Sequence, residues 1–355
     1  MVWGMPRGGL ESLLVDIANA QSPRHQVQIV IVNDDCNAEL LQELDASVCV
    51  TRVGRPRGSR NPWYFAKCQR AVRRFAPDVI HIHQLPLIAY VLLLGAPKIG
   101  TVHALDVPNT RWIYKYSNLC CVSTAVLEAS RARYPGIQSC LVPNGIVPEK
   151  VTVKASRSAD RFRVVQLGRL DHASKGQDIA MRAIARIAAV RPDVRFSLDF
   201  IGSGPSRNFL GHLAREIGME TMVNFLGEKS RSEIYAQLAE YDLLLQPSRN
   251  EAFGLTIVEA MCARVPVLVS DAMGPCEIIE NGEYGGVFRH HSPENCADEI
   301  DRVLQTRDSR EFLERLSAAR EAAIKRYSVS GTVERYDAVY LAARASEEFS
   351  RAVHN

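Results

Sequence analysis

Two glutamates eight positions apart, Glu251 and Glu259, stand in surroundings that ordinarily exclude carboxylates. Glu259 lies within LTIVEAMCA, which is apolar on nearly every side and flanked by the strand-like runs LLLQP and VPVLVS, so it reads as part of a buried crossover helix. A carboxylate buried there costs on the order of several kcal/mol unless something hydrogen-bonds to it, and the helix itself holds no lysine or arginine. A ligand with a pair of hydroxyls, such as a ribose, would satisfy both oxygens at once; a neighbouring backbone amide is the plainer alternative. Glu251 precedes Phe253, Gly254 and Leu255, which break the pattern, and so belongs to the loop after the strand ending near Pro247. Ligands of open parallel sheets bind at such carboxyl ends. Alone, Glu251 reads equally well as an exposed loop residue; the pair in one strand-loop-helix frame points to a ligand site.

Two cations are placed to accompany it. The strand RVVQLG ends at Gly168, Arg169 follows in the turn, and Lys175 sits just before the next helix. Cationic side chains beside the free amides of a helix N-terminus form an anion site, although either residue alone is also an ordinary surface charge. His103 closes the strand KIGTVH, where a lone histidine is most often structural. His81 and His83 share one face of the strand DVIHIH; with no third ligand nearby in sequence, packing and hydrogen bonding are expected of them rather than metal binding. Gly8 and Gly9 precede the amphipathic LESLLVDIANA, which suits a strand-loop-helix turn whose glycines admit close backbone approach and positive φ.

The elements that must carry these residues alternate twice between strand and helix, the pattern of parallel doubly wound sheets. Strands are expected at 26–33, 47–53, 78–83, 98–103, 119–123 and 139–143, a polar linker at 149–161, and a second series beginning with RVVQLG, the helix QDIAMRAIARIAAV and the strand FSLDFIG. A chain of 355 residues suits two domains, and 46% hydrophobic with 23% charged residues is the balance of a soluble globular protein. The longest nearly apolar stretch, residues 85–97, is shorter than the roughly 18 residues of a membrane span and is expected to be a buried helix. MVWGMPRGG lacks the features of a secretory signal. Nine scattered cysteines without a C-x-x-C read as reduced thiols of a cytoplasmic protein, not as a disulfide framework or zinc site.

Taken together, the Glu-x7-Glu segment and the blocks GGLE (8–11), TVHALD (101–106), VPNGI (142–146), QLGRLDHASKGQD (166–178), FLGEKSRSEI (225–234) and MGPCEII (273–279) resemble retaining glycosyltransferase family 4 over nearly the whole chain. The resemblance implies an α/β GT-B fold, two Rossmann-like doubly wound parallel-sheet domains facing across a cleft. Residues 1–150 would form the acceptor-side domain, 160–327 the nucleotide-sugar-binding domain, and 328–355 a terminal helix crossing back to the first. It further implies that Arg169 and Lys175 hold the donor diphosphate, Glu251 orients the donor sugar, Glu259 holds the ribose, and His103 touches the sugar near the reacting carbon. Gly8, Gly9, Gly168, Phe253, Gly254 and Leu255 would complete the donor site, and Glu277 matches a position near the nucleotide. The chain has no D-x-D triplet to clamp a divalent ion, so metal-free transfer without any cofactor is expected, cations neutralising the leaving diphosphate. Asp34-Asp35 reads as a turn. Two departures stand out. Val147 replaces the aspartate common after VPNGI, and only residues 1–4 precede the Gly-Gly loop where the family has a full strand, so the first strand is either shortened or begun downstream of the natural start.

Charge adds a possible surface. Residues 1–150 hold 16 lysines and arginines against 11 acids, and eight of those cations lie between Arg52 and Arg74 around Trp63-Tyr64-Phe65 without one acid. Basic residues interleaved with aromatics suit an anionic membrane surface or an acidic acceptor; no nucleic-acid motif accompanies them, and a solvated helix face is the alternative. The expectation is a metal-independent hexosyl- or N-acetylhexosaminyltransferase. It would use a nucleotide sugar, UDP- in preference to GDP-, and a saccharide or lipid-linked acceptor, in surface polysaccharide, lipopolysaccharide or other glycolipid synthesis, in the cytoplasm or on the inner face of its membrane. A sugar-nucleotide epimerase of the same fold and a catalytically silent nucleotide-sugar-binding protein are the competing readings.

Overall fold

The computed structural model describes residues 1–155 and 161–354. It divides into two units, Met1–Ile146 with Val329–Asn355, and Val147–Ser328. Every strand pair among the described residues is parallel.

The first unit contains β1 (Gln28–Asn33), β2 (Cys49–Arg55), β3 (Ile80–Ile82), β4 (Lys98–Val102), β5 (Asn118–Cys121) and β6 (Ser139–Leu141), with α1 (Gly9–Gln21), α2 (Ala38–Gln42), α3 (Pro62–Phe75) and α4 (Thr124–Arg133). β1 pairs with β2, and β3 to β6 form a second ladder in sequence order. Residues 1–3 stand between the two. The Val2 N–H donates to the Val30 carbonyl at 3.0 Å, while on the other side the Met1 amine donates to the His81 carbonyl at 2.6 Å and the His83 N–H to the Met1 carbonyl at 3.2 Å. A three-residue link thus satisfies facing backbone groups that an empty gap would leave unpaired. The helix Val329–His354 belongs to this unit: the Thr332 hydroxyl donates to the Pro143 carbonyl at 2.9 Å and the Val329 N–H to the Ile146 carbonyl at 2.7 Å.

The expected buried helix over residues 85–97 is instead a 3-10 turn at Leu85–Tyr90 followed by irregular chain. Its apolar side chains are buried as expected, among them Leu85, Leu87, Ile88 and Val91. Burial alone does not select an α-helix, however, and Pro97 closes the segment against further helical growth.

The second unit contains β7 (Phe162–Leu167), β8 (Phe196–Ile201), β9 (Val223–Gly227), β10 (Leu243–Gln246), β11 (Val267–Ser270) and β12 (Gly286–Phe288) in the order β12-β11-β10-β7-β8-β9. Its helices are α5 (His172–Lys175), α6 (Gln177–Val190), α7 (Arg207–Glu216), α8 (Arg231–Gln237), α9 (Leu255–Cys262), α10 (Met273–Ile278), α11 (Pro293–Thr306) and α12 (Arg310–Tyr327). All residues of β8, β10 and β11 are buried, as in a sheet covered on both faces. Phe162, Leu198, Phe200 and Leu243 pack with Ile184 and Ile187 of α6 and Ile300 of α11 in one core. The strand order reverses between β7 and β10, which makes their carboxyl ends the topological switch point.

The expected linker over 149–161 needs correction on its first side. Residues 156–160 lie outside the described residues. Before them, Val151 is buried, the Thr152 N–H donates to the Tyr235 carbonyl at 3.2 Å, and the Lys154 amine is buried 2.9 Å from Asp242. A polar composition concealed a segment anchored to the second unit by backbone hydrogen bonds and a buried ion pair.

In the first unit three imidazoles stand in a row. His81 Nδ1 lies 2.6 Å from the Tyr340 hydroxyl and its Nε2 2.7 Å from the Thr101 hydroxyl, while His83 Nδ1 lies 3.2 Å from His103 Nε2. Burial, followed by the neighbouring positive groups, holds His81 and His83 well below the usual histidine range, and burial alone lowers His103 to about 4. Because the unfolded chain binds these protons near pH 6.5 and the folded chain only at lower pH, the unfolded state carries more protons in between. Stability should therefore be full above about pH 6.5 and fall as the solution is acidified, by at most roughly 2 kcal/mol per histidine between pH 7 and 5. Urea unfolding at both pH values should show the loss, and His83→Gln should shrink it; an unchanged pH dependence in the variant would remove His83 from the account.

Candidate functional site

At the carboxyl end of β7 the buried Gln166 amide donates to the Lys175 carbonyl at 2.7 Å, and the Gln177 amide donates to the Arg169 carbonyl at 2.9 Å. These two bonds fold residues 168–176 into a fixed loop ahead of α6. Gly168 and Arg169 are exposed, and the Arg169 guanidinium has no protein partner among the described residues. Lys175 ends α5, and Gly176 turns the chain at φ +66°, a conformation few other residues adopt. A Cβ on Gly176 would lie 2.0 Å from the Pro247 carbonyl oxygen, so this glycine also permits the loop to rest on the end of β10.

From β10, residues 247–254 approach the same place. The Gln246 amide donates to Glu251 Oε2 at 3.1 Å, and Lys175 Nζ donates to the same oxygen at 2.5 Å. Gly274 of α10 passes so close to this loop that a Cβ there would lie 2.5 Å from the Glu251 carbonyl oxygen. Phe253 is buried edge-on against Tyr327 at 5.5 Å, and Gly254, at φ +112°, starts α9 with Leu255 as its first residue. Two loops from the two strands that flank the switch point therefore meet in one ion pair, and the exposed Arg169 lies in the same loop as Lys175.

Arg249 was invisible as a site residue in the sequence, yet it clamps the two loops together. Its guanidinium grips both oxygens of Asp178 at 3.0 and 2.9 Å and donates to the His172 carbonyl, while its backbone N–H donates to the Ser174 carbonyl at 2.8 Å. A two-toothed Arg-carboxylate contact of this kind fixes orientation as well as charge. The only sequence signal was an arginine two residues before Glu251 and an aspartate two after Gly176.

Glu259 is buried in α9 as expected, and a cation reaches it from outside that helix. Arg231 of α8 places its Nε 3.7 Å from Glu259 Oε1 and lies over the Tyr235 ring. The partner comes from another helix, 28 residues earlier in the chain, which inspection of the helix itself could not reveal. Glu277 sits late in the short α10, away from its N-terminus, and its carbonyl accepts from Arg326 at 3.5 Å.

Gly8, Gly9 and His103 belong to the first unit. Gly8 has extended backbone at φ −175°, and neither Gly8 nor Gly9 uses the positive φ that glycine permits. A Cβ at Gly8 would lie 2.4 Å from the Glu11 carboxylate that folds back onto the start of α1, a contact that side chain could relieve by moving. Burial, with Asp35 adding its charge, raises that carboxyl above its usual range despite an opposing backbone hydrogen bond. At about 4, His103 is a neutral imidazole near pH 7, able to hydrogen-bond but not to act as a cation. No group of three histidine, cysteine, aspartate or glutamate side chains among the described residues could hold a metal ion.

Comparison with known proteins adds to this geometry. The family model described as "Glycosyl transferases group 1" matches residues 149–324, and that of "Glycosyltransferase Family 4" matches residues 7–150. The glycogen synthase of Mycobacterium tuberculosis is 25% identical over 299 residues, covering 78% of this chain and 71% of its own. A glycosyltransferase from Rickettsia africae superposes with a TM-score of 0.81 at 16% identity, covering 96% of this chain and 97% of its own. Anabaena HepE, solved with UDP and glucose, superposes at 0.76 with 20% identity over 95% and 98% of the two chains.

The clamp yields a direct test. Arg249→Gln should lower the stability of the second unit by about 1–2 kcal/mol, the usual cost of losing a charge-assisted contact at a half-buried site. In urea unfolding, Arg249→Gln and Asp178→Asn should be strongly non-additive; additive losses would mean that the two side chains do not act as a pair.

Proposed function

The chain belongs to the group 1 glycosyltransferases of family 4, with the GT-B fold, and from that premise we propose that it is a retaining enzyme drawing on a nucleotide sugar held in its second unit. The observation that carries this reading is the contact of Lys175 with Glu251 at the switch point of that sheet, where an open parallel sheet receives its ligand, with the exposed Arg169 earlier in the same loop as Lys175. Arg169 and Lys175 neutralise the donor diphosphate as it leaves, the task a divalent ion performs elsewhere, so transfer proceeds without metal or cofactor. Glu251 accepts hydrogen bonds from the sugar hydroxyls. Glu259, oriented by Arg231, accepts from the ribose. In the retaining step the bond from the anomeric carbon to the diphosphate breaks, the acceptor oxygen bonds to that carbon from the same face, and the departing phosphate oxygen takes the acceptor proton. UDP is favoured over GDP as the carrier, supported by the UDP in Anabaena HepE, which shares the fold.

The acceptor is a saccharide or a lipid-linked saccharide, transferred as hexose or N-acetylhexosamine in surface polysaccharide or lipopolysaccharide synthesis. Support comes from the exposed arginines between residues 52 and 74 of the first unit. Arg52, Arg57, Arg60, Arg70, Arg73 and Arg74 are exposed, and Trp63 is 57% exposed. The patch is smaller than its sequence, since Arg55 turns back to Asn33 at 2.9 Å, Lys67 to the Val53 carbonyl at 2.7 Å, and Phe65 packs on Tyr90 at 5.5 Å. No helix among the described residues is long and apolar enough to cross a membrane. Contact with an anionic bilayer would therefore be peripheral, through these arginines and Trp63.

Each of Arg169→Ala and Lys175→Ala should lower turnover at least roughly tenfold, because one charge-assisted contact to a leaving diphosphate is worth about 1.5–3 kcal/mol. Glu251→Ala should chiefly lower turnover and Glu259→Ala chiefly weaken donor binding. Chelator should change nothing; activity abolished by chelator and restored by magnesium would overturn the metal-free mechanism.

A second expectation concerns docking. Arg70→Gln, Arg73→Gln and Arg74→Gln together should reduce sedimentation with anionic vesicles and transfer to a lipid-linked acceptor, leaving donor affinity unchanged. Wild-type binding should weaken steeply with salt, since surface attraction decays within a Debye length of about 8–10 Å. Equal sedimentation of both proteins at low salt would reduce the patch to a solvated surface.

A further inference from the structure

Nine cysteines are free thiols, and two of them face each other across neighbouring strands. Cys120 on β5 is directly opposite Cys140 on β6, and their sulfurs are 3.9 Å apart. Residues in register on adjacent parallel strands project to the same side of the sheet, so the shortening to about 2.05 Å that a disulfide requires can come from side-chain rotation without any slip of register. Cys121, the next residue on β5, projects to the opposite face, where its thiol donates to the Ser130 hydroxyl at 3.4 Å.

The two sulfurs are unequal. Cys120 is fully buried, whereas Cys140 is half-buried on the edge strand of its ladder and also donates to Asn118 Oδ1 at 3.4 Å. The hydrogen bond between them pulls the Cys140 thiol below its ordinary value and pushes Cys120 well above; the Arg131 guanidinium assists on the Cys140 side, against burial. Thiolate character therefore gathers on the less buried of the two cysteines, the disposition of a reactive cysteine with a resolving partner.

We propose that Cys120 and Cys140 form a peroxide-responsive dithiol that closes to an intramolecular disulfide. The Cys140 thiolate attacks one oxygen of hydrogen peroxide, the O–O bond breaks, and hydroxide leaves with the electron pair, giving a sulfenic acid at Cys140. Cys120 then attacks that sulfur as its own proton passes to the departing oxygen. The S–S bond forms and water leaves, so two thiols have been oxidised and one peroxide reduced to two waters. The new bond ties β6 to β5 just ahead of Pro143 and Ile146, whose carbonyls anchor the start of the helix Val329–His354. Oxidation thereby reinforces the seam where that helix joins its unit.

The test uses the full chain treated with a few equivalents of hydrogen peroxide at neutral pH, followed by alkylation under denaturing conditions and mass spectrometry. The expected product is a monomer lacking two hydrogens, with seven of the nine cysteines alkylated, a peptide linking Cys120 to Cys140, and full reversal by dithiothreitol. Cys120→Ser and Cys140→Ser, each shown to be folded by circular dichroism, should both lose the cross-link, and Cys121→Ser should keep it. If neither Ser variant folds, alkylation before peroxide treatment of the wild type must block the cross-link instead. Oxidation of Cys140 to sulfinic acid without a cross-link, a disulfide between two chains, or pairing through other cysteines would each overturn the proposal.

Discussion

The contact between Gly176 and the Pro247 carbonyl is the constraint on which the second unit's site depends. Loops that leave β7 and β10 lead to different helices and tend to diverge at a switch point, opening a crevice. Here a residue without a side chain lets one loop lie on the other at its outer end, and Arg249 with Asp178 holds them there. Lys175 and Glu251 are brought together as a result, within a scaffold of buried strands that leaves the backbone little room to relax. The polar bonds of Gln166, Gln177 and Gln246 serve the same end, since each ties a loop residue to a strand or helix terminus rather than to solvent.

Much of this second unit was legible in the residues alone. Helix α6 coincides with the amphipathic run QDIAMRAIARIAAV, because its apolar spacing and the Gly176 turn before it are both local signals. Glu251 and Glu259 fell on a loop and a buried helix for the same reason. The contacts that give those glutamates their surroundings were not legible, since Arg231 and Gly274 meet them only after the sheet has assembled. Residues 149–155 misled for a related reason: Lys154 reads as linker chemistry until Asp242 is known to lie beside it.

In the first unit the local signals were weaker. Strands such as β3 and β6 are three residues long, and the register of the two ladders depends on the short link at residues 1–3. His81 lies on β3 and His83 just beyond its end, their rings side by side at 4.1 Å as the shared face implied, but their alignment with His103 follows from the pairing of β3 with β4, a nonlocal fact. Similarly, eight cations in sequence became six exposed arginines once Arg55 and Lys67 had found carbonyl or amide oxygens nearby. Counting charge along a chain overstates the charge on its surface whenever long side chains can fold back.

The shared oxygen of Glu251 carries one further consequence. On the proposed reading, an anion that draws Lys175 away from that carboxylate and a hydroxyl donor at Glu251 would be thermodynamically linked occupants. Binding of the first releases the acceptor needed by the second, and by reciprocity a donor group on Glu251 raises the affinity of Lys175 for the anion. A ligand bearing both groups gains from the exchange as a whole, whereas a bare diphosphate or a free sugar meets the intact ion pair as a competitor. On that reading, discrimination in favour of the joined molecule over its two fragments would rest on a single 2.5 Å contact.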